Sequence, residues 1–209
     1  VLRRNAVARG VLVSLDADTL VESNYLSVIR GHFQTADSWA CVIDYAHRIE
    51  GPVAVQDAIV SYELFLRYHV LGLAYARSPY AFHTIGSAMA CTSDAYVAVS
   101  GMNRRQAGED FYFLQELSKT GSMGVIHDTV VRPSPRPSWR VPFGTGRRVL
   151  RFLDGQHEEN RVYNSRSYEI LKRWFEAVLG HPSADVAFLE SAARDIAPEL
   201  ADFLESIGF

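Results

Sequence analysis

Short apolar runs alternate with segments of helical periodicity along the first half of the chain. Residues 11–15 and 39–45 are short, mostly apolar runs that predict buried strands. Between them Tyr25, Ile29 and Phe33 recur at a spacing of four, which predicts one face of a helix. An alternation of strands and helices is typical of the α/β class of folds.

The same pattern continues to about residue 131. A long helix is predicted over residues 55–77, where Ser78-Pro79 ends it. A small, apolar segment runs from Gly86 to Cys91, and a short helix capped by Ser93 or Asp94 follows it. The remaining elements predicted here are a helix from Gly108-Glu109-Asp110 to Gly121 and a strand over residues 123–131.

The last third of the chain has a different character. Residues 132–151 are rich in Pro and Gly and hold six Arg with no acidic residue, which predicts an irregular basic loop. Two helical patterns follow, over residues 168–179 and 184–207. We therefore predict one domain over residues 1–150 and a helical C-terminal extension over residues 151–209.

Composition restricts the class of protein. With 48% hydrophobic and 22% charged residues the chain is an ordinary globular one, and no apolar run approaches the roughly 20 residues of a membrane helix. Cys41 and Cys91 lie far apart without a Cys-x-x-Cys pair or a secretory leader, so we expect a cytoplasmic location. A net charge of −3 and the lack of a recognised motif argue against nucleic-acid binding.

Charge is distributed unevenly along the chain. Residues 130–180 carry ten Lys or Arg against five Asp or Glu, whereas residues 181–209 carry one against six. The basic stretch 132–140 is open to two interpretations: a lid whose Arg140 contacts a diphosphate while Trp139 covers a sugar, or an exposed linker. Next to Leu150 and Phe152 it is also compatible with peripheral contact to anionic lipid, which would suit a lipid-linked acceptor.

Two acidic residues stand directly after the first predicted strand, in the motif Asp16-Ala17-Asp18. Both carboxylates can face a pocket where the backbone leaves the sheet, and they offer the hard oxygen ligands that Mg²⁺ or Mn²⁺ prefers. Acidic turn residues also follow strands for purely structural reasons. The motif therefore needs companions before it indicates a metal site.

The companions are the small-residue segment beginning at Gly86-Ser87 and the pair Glu109-Asp110 at the start of a helix. In this order the three motifs resemble those of the inverting glycosyltransferases of family 2. The resemblance covers residues 1–150 and implies an A-type glycosyltransferase fold, a Rossmann-like mixed sheet flanked by helices. It also implies a nucleotide-sugar donor and an acceptor that is a saccharide, a lipid-linked sugar or a small molecule.

The resemblance implies a role for each matching residue. Asp18 would bind the metal, and Asp110 would be the general base that takes a proton from the acceptor hydroxyl. The residues that would contact the nucleotide sugar are Asp16, Gly86, Ser87 and Glu109, and Arg140 joins them if the basic stretch is a lid.

Two departures from the family pattern limit this comparison. Family members begin with a strand and a Pro-x-x-Asn-Glu loop that hold the nucleotide base, and nothing in this chain matches them. We therefore expect the chain to lack an N-terminal nucleotide-binding segment. Family members also often carry a His after the last strand, where this chain has Val131-Arg132-Pro133. A third metal ligand is thus unassigned, and His127 is more simply interpreted as a strand or surface residue.

Two alternatives from other classes stay open. Residues 11–20 also match the first motif of haloacid dehalogenase-like phosphatases, in which Asp16 would be a nucleophile, although no later Gly-Asp-x-x-x-Asp motif accompanies it. The chain could also be a non-catalytic binding or assembly module.

Overall fold

The computed structural model describes residues 10–102, 108–140, 142, 144–155 and 158–209. These residues form a mixed α/β structure with a five-stranded sheet, which confirms the predicted α/β class. Internal contacts divide the chain into two compact units, Val1–Leu66 with Phe82–Asn160 and Arg67–Ala81 with Arg161–Phe209. The sheet belongs to the first unit.

The order of strands in the sheet is β1-β4-β3-β5-β2. Because β4 is antiparallel to both neighbours and β3 is parallel to β5, the strands β1, β3 and β5 all end on one side. The segment that enters β4 begins on that same side, which we call the carboxyl end of the sheet. The strand bounds are β1 Val11–Ser14, β2 Leu20–Val21, β3 Ala40–Tyr45, β4 Met89–Thr92 and β5 Met123–Arg132.

Helices cover both faces of this sheet. Against one face α1 (Tyr25–Thr35) buries the three residues of its predicted apolar stripe, which pack with Ile43 and Ile126. Against the other face α4 (Glu109–Thr120) packs Phe113, Leu114 and Leu117. The remaining helices of this part of the chain are α2 Val53–Tyr75, which continues into the second unit, and α3 Ser93–Ala98.

The predicted basic loop over residues 132–151 is only partly irregular. A helix, α5 (Thr145–Asp154), begins within it, directly after Gly144 with its left-handed φ of 95°. The helix forms because Val149 on its inner face is fully buried against Ala58 and Ile59. Its apolar and basic positions alternate with a clear helical period, but the Pro- and Gly-rich residues before it predicted a loop. We call the irregular part, residues 133–140, the basic segment.

The second unit contains α6 (Ser165–Gly180), α7 (Val186–Ile196) and α8 (Pro198–Ser206). The single helical pattern predicted over residues 184–207 is therefore two helices. Ala197 is extended between them, and Pro198 occupies the first turn of α8, the helical position that best tolerates proline. Among the described residues no helix is long and apolar enough to cross a membrane.

Candidate functional site

Sheet topology brings distant segments together at the carboxyl end of the sheet. Asp16 and Asp18 follow β1, the basic segment follows β5, and Gly86 lies on the segment that enters β4. Helix α4 precedes β5, so its first turn with Glu109 and Asp110 lies toward the same end. Polar groups that are spread over 125 positions of sequence, from 16 to 140, thus converge on one region.

Asp110 lies directly against Gly86. A Cβ atom built on Gly86 would stand 3.3 Å from Asp110 Oδ2, so the absence of a side chain lets the carboxylate approach the backbone. Burial raises the pKa of Asp110, and the charges of Glu109 and Asp16 raise it further, whereas a 2.7 Å hydrogen bond from the Phe111 N–H opposes them. Asp110 is therefore a partly desolvated carboxylate with increased basicity.

We expect Gly86→Ala to impair the site without unfolding the protein. The added methyl would crowd Asp110 Oδ2 and displace the carboxylate by a few tenths of an ångström. If Asp110 has the predicted role of base, such a displacement is costly, and turnover should fall about tenfold. Thermal unfolding and initial rates measured together test this. Gly31→Ala is the control, because outside the adjacent residues and the backbone of its own helix no described atom lies within 4 Å of the added methyl. An unchanged rate in Gly86→Ala would show that the close approach is unimportant.

The charges of other predicted site residues act on the Asp16 carboxyl. Partial burial of its carboxyl raises the pKa of Asp16, as do the charges of Asp18 and Glu109, while the Arg140 guanidinium lowers it. Asp16 in turn raises the pKa of Asp110. We call these four coupled carboxylates, Asp16, Asp18, Glu109 and Asp110, the acidic cluster. Of the other predicted site residues, Ser87 is buried next to Gly86.

Asp18 is held by two arginines. Its Oδ2 atom lies 3.0 Å from Arg136 Nη2 in a half-exposed ion pair, and its carbonyl oxygen accepts a hydrogen bond of 3.2 Å from Arg48 Nη2. Arg136 belongs to the basic stretch 132–140, which was predicted to be a lid or a linker without singling out this residue. Arg48 follows β3 and carries no sequence signal, because only the fold places it beside Asp18.

The acidic cluster fits a divalent cation only in combination with a ligand. Within the described ranges no group of three His, Cys, Asp or Glu side chains could hold a metal ion by itself. Mg²⁺ commonly takes one or two carboxylates and completes its shell with phosphate oxygens and water. Asp16 and Asp18 match that donor set. His127 instead forms a 2.9 Å exposed pair with Asp44, as its interpretation as a surface residue implied.

Sequence reasoning missed two further groups: Tyr62, which is electrostatically coupled to Asp110, and His47. Tyr62 lies on α2, and the charge of Asp110 acts on it. Burial raises the pKa of Tyr62 to about 12, Arg148 opposes this from 5.5 Å above the ring, and Asp110 adds to it. His47, which follows β3, is buried and bonded through both ring nitrogens. A lone His or Tyr in an apolar segment gives no signal of such contacts.

No protein-family model matches the chain, and no curated protein is significantly similar to it. The fold class and the geometry of the acidic cluster are therefore the basis for assigning a function.

Proposed function

We propose that this chain comprises the metal-binding and acceptor-side part of an inverting nucleotide-sugar glycosyltransferase with an A-type fold. The observation that carries the proposal is the Asp110 carboxylate, which lies against Gly86 and is electrostatically coupled to Asp16 at the carboxyl end of the sheet. Ligands of open α/β sheets bind outside the carboxyl ends of the strands. The cluster thus occupies the position where this class of fold holds its ligands.

The donor side of the proposed site consists of Asp18 and the arginines around it. When bound, Mg²⁺ or Mn²⁺ would supply Lewis-acid stabilisation of the departing diphosphate. Arg136 and Arg140 carry guanidinium groups suited to bidentate contact with phosphate oxygens. Arg136 pairs with Asp18 at 3.0 Å, and because that pair is half-exposed it can open at little cost.

The acceptor side consists of Asp110. Its raised pKa makes the carboxylate a stronger base than an ordinary aspartate, as base catalysis near neutral pH requires. Asp110 would take the proton of the acceptor hydroxyl while that oxygen bonds to the anomeric carbon and the bond to the diphosphate breaks. A single displacement of this kind inverts the configuration at the anomeric carbon.

The test is a screen of the full natural protein against nucleoside diphosphates and their sugars with Mn²⁺. We expect at least one to stabilise the protein by about 2.7 kcal/mol at one hundred times its Kd, and its sugar to be transferred with inversion. Stabilisation by beryllium fluoride without any nucleotide would instead favour a phosphatase with Asp16 as nucleophile. A shift produced by a partner protein alone would favour an assembly module.

A further inference from the structure

A part-buried chain of hydrogen bonds centred on His47 joins the end of β3 to α2 and α5. We propose that His47 is a positioning residue, which holds the basic segment so that Arg136 and Arg140 reach the acidic cluster. The inference rests on the proposed function, because it gives these two arginines their ligand. It assigns a role to three residues, Glu63, His47 and Thr145, that no motif of the sequence contains.

Both nitrogens of the His47 ring are engaged, and its side chain is completely buried. Nδ1 lies 2.9 Å from Glu63 Oε1 on α2, and Nε2 lies 3.0 Å from Thr145 Oγ1 at the first residue of α5. The backbone N–H of His47 also donates to Glu63 Oε1. One histidine therefore joins the end of β3 to two helices that are separate in sequence.

The hydrogen-bond roles follow from the charge of Glu63. A carboxylate accepts hydrogen bonds and does not donate them, so its bond with His47 requires a proton on Nδ1. When Nδ1 carries the only ring proton, Nε2 is an acceptor. The Thr145 hydroxyl can donate or accept, so it bonds to Nε2 in either tautomer of the ring. A serine at position 145 keeps this bond, whereas a valine of nearly the same shape removes it.

The first turn of α5 is in turn bonded to the basic segment. The Ser138 N–H donates at 3.2 Å to the carbonyl of Gly146, the second residue of α5. The contact is so close that a Cβ atom on Gly146 would stand 2.6 Å from Ser138 Cβ. A displacement of the first turn of α5 must therefore displace Ser138, which lies between Arg136 and Arg140.

The other end of the basic segment is held by the neighbour of His47. The Arg48 N–H donates to the Pro133 carbonyl at 3.1 Å, and the Arg48 guanidinium binds the Asp18 carbonyl. Two consecutive residues after β3 thus fix the segment at its start and near its end. Arg136 bonds to Asp18 from within this span.

The experiment compares Thr145→Val with Thr145→Ser by hydrogen exchange and by binding of inorganic pyrophosphate. Loss of the part-buried His47–Thr145 hydrogen bond is expected to raise amide exchange over residues 134–140 about fivefold in Thr145→Val. Pyrophosphate affinity should fall by a similar factor of about five. Thr145→Ser should match the wild type in both measurements, and exchange in β3 and α4 should be the same in all three proteins.

The variant Arg136→Gln/Arg140→Gln separates this inference from the proposed function. If the double variant loses pyrophosphate binding while Thr145→Val keeps it and exchanges normally, the positioning role of His47 is wrong and the donor site stands. If the double variant binds as the wild type does, the donor site is wrong, and exchange over residues 134–140 alone decides the positioning role. Thr145→Ala replaces Thr145→Val if the latter does not fold, and equal exchange in Thr145→Ala and wild type overturns the inference.

Discussion

Replacing Asp110 with Asn is expected to lower sugar transfer by about 10²–10⁴-fold, the range that a positioned general base contributes. The amide cannot accept the proton of the acceptor hydroxyl, yet it keeps the shape of the carboxylate against Gly86. Donor binding should therefore change little. Initial rates with the donor found in the nucleotide screen, and the thermal shift produced by the same donor, measure the two quantities separately.

Stability should change in the opposite direction to activity. Because burial raises the pKa of Asp110 in the folded protein, the charged form costs stability at pH values above its unfolded pKa. The neutral amide of Asp110→Asn carries no such cost, so this variant should be at least as stable as the wild type at neutral pH. Loss of activity without loss of stability is the signature of a residue kept for function.

The pH dependence follows from the same pKa shift. Asp110 acts as a base only when ionised, so the rate should fall as the pH drops through its raised pKa and level off above it. Glu116→Gln is the matched control, since Glu116 lies on the same helix with its side chain 53% exposed. Normal turnover by Asp110→Asn, or an equal loss in Glu116→Gln, would remove Asp110 from the role of base.

The sequence could predict the elements whose apolar pattern extends over several turns or strand residues. The stripe of Tyr25, Ile29 and Phe33 on α1 is buried as expected. Strand β2 has only two residues, both exposed, so its pairing with β5 left no hydrophobic pattern to detect. Helix α5 was missed for a different reason: it is clearly amphipathic, but it directly follows a Pro- and Gly-rich stretch that predicted a loop over residues 132–151.

The site was predictable to the extent that its residues stand in short motifs. Asp16 and Asp18 follow a strand, and Glu109 and Asp110 begin a helix, so local chemistry identified them before their coupling was known. The contacts of Arg48 and His47 arise because β3 ends beside the loop after β1 and beside α5. Such neighbours come from strand order, which one sequence does not specify.

Asp18→Ala is expected to abolish the cation-dependent part of donor binding. Asp18 is the predicted metal ligand, and even residues that only orient a ligand cost about 10–100-fold in metal affinity when replaced. We therefore expect Mn²⁺ to strengthen nucleoside-diphosphate binding to the wild type and to have no such effect on Asp18→Ala. Titration of the nucleotide with and without Mn²⁺ gives the two affinities for each protein.

Because Arg136 is paired with Asp18, replacing either residue changes the surroundings of the other. Loss of the Asp18 carboxylate frees Arg136 from its 3.0 Å ion pair, so cation-independent binding of the diphosphate should rise in Asp18→Ala. Arg136→Gln should have the reverse effect. It removes the guanidinium that competes with Mn²⁺ for the Asp18 carboxylate, so Asp18 becomes more available to the cation, while a phosphate contact is lost.

Asp44→Ala is the control. It removes a carboxylate that pairs with the exposed His127, and this variant should behave as the wild type. Undiminished Mn²⁺ dependence in Asp18→Ala would move the metal away from Asp18.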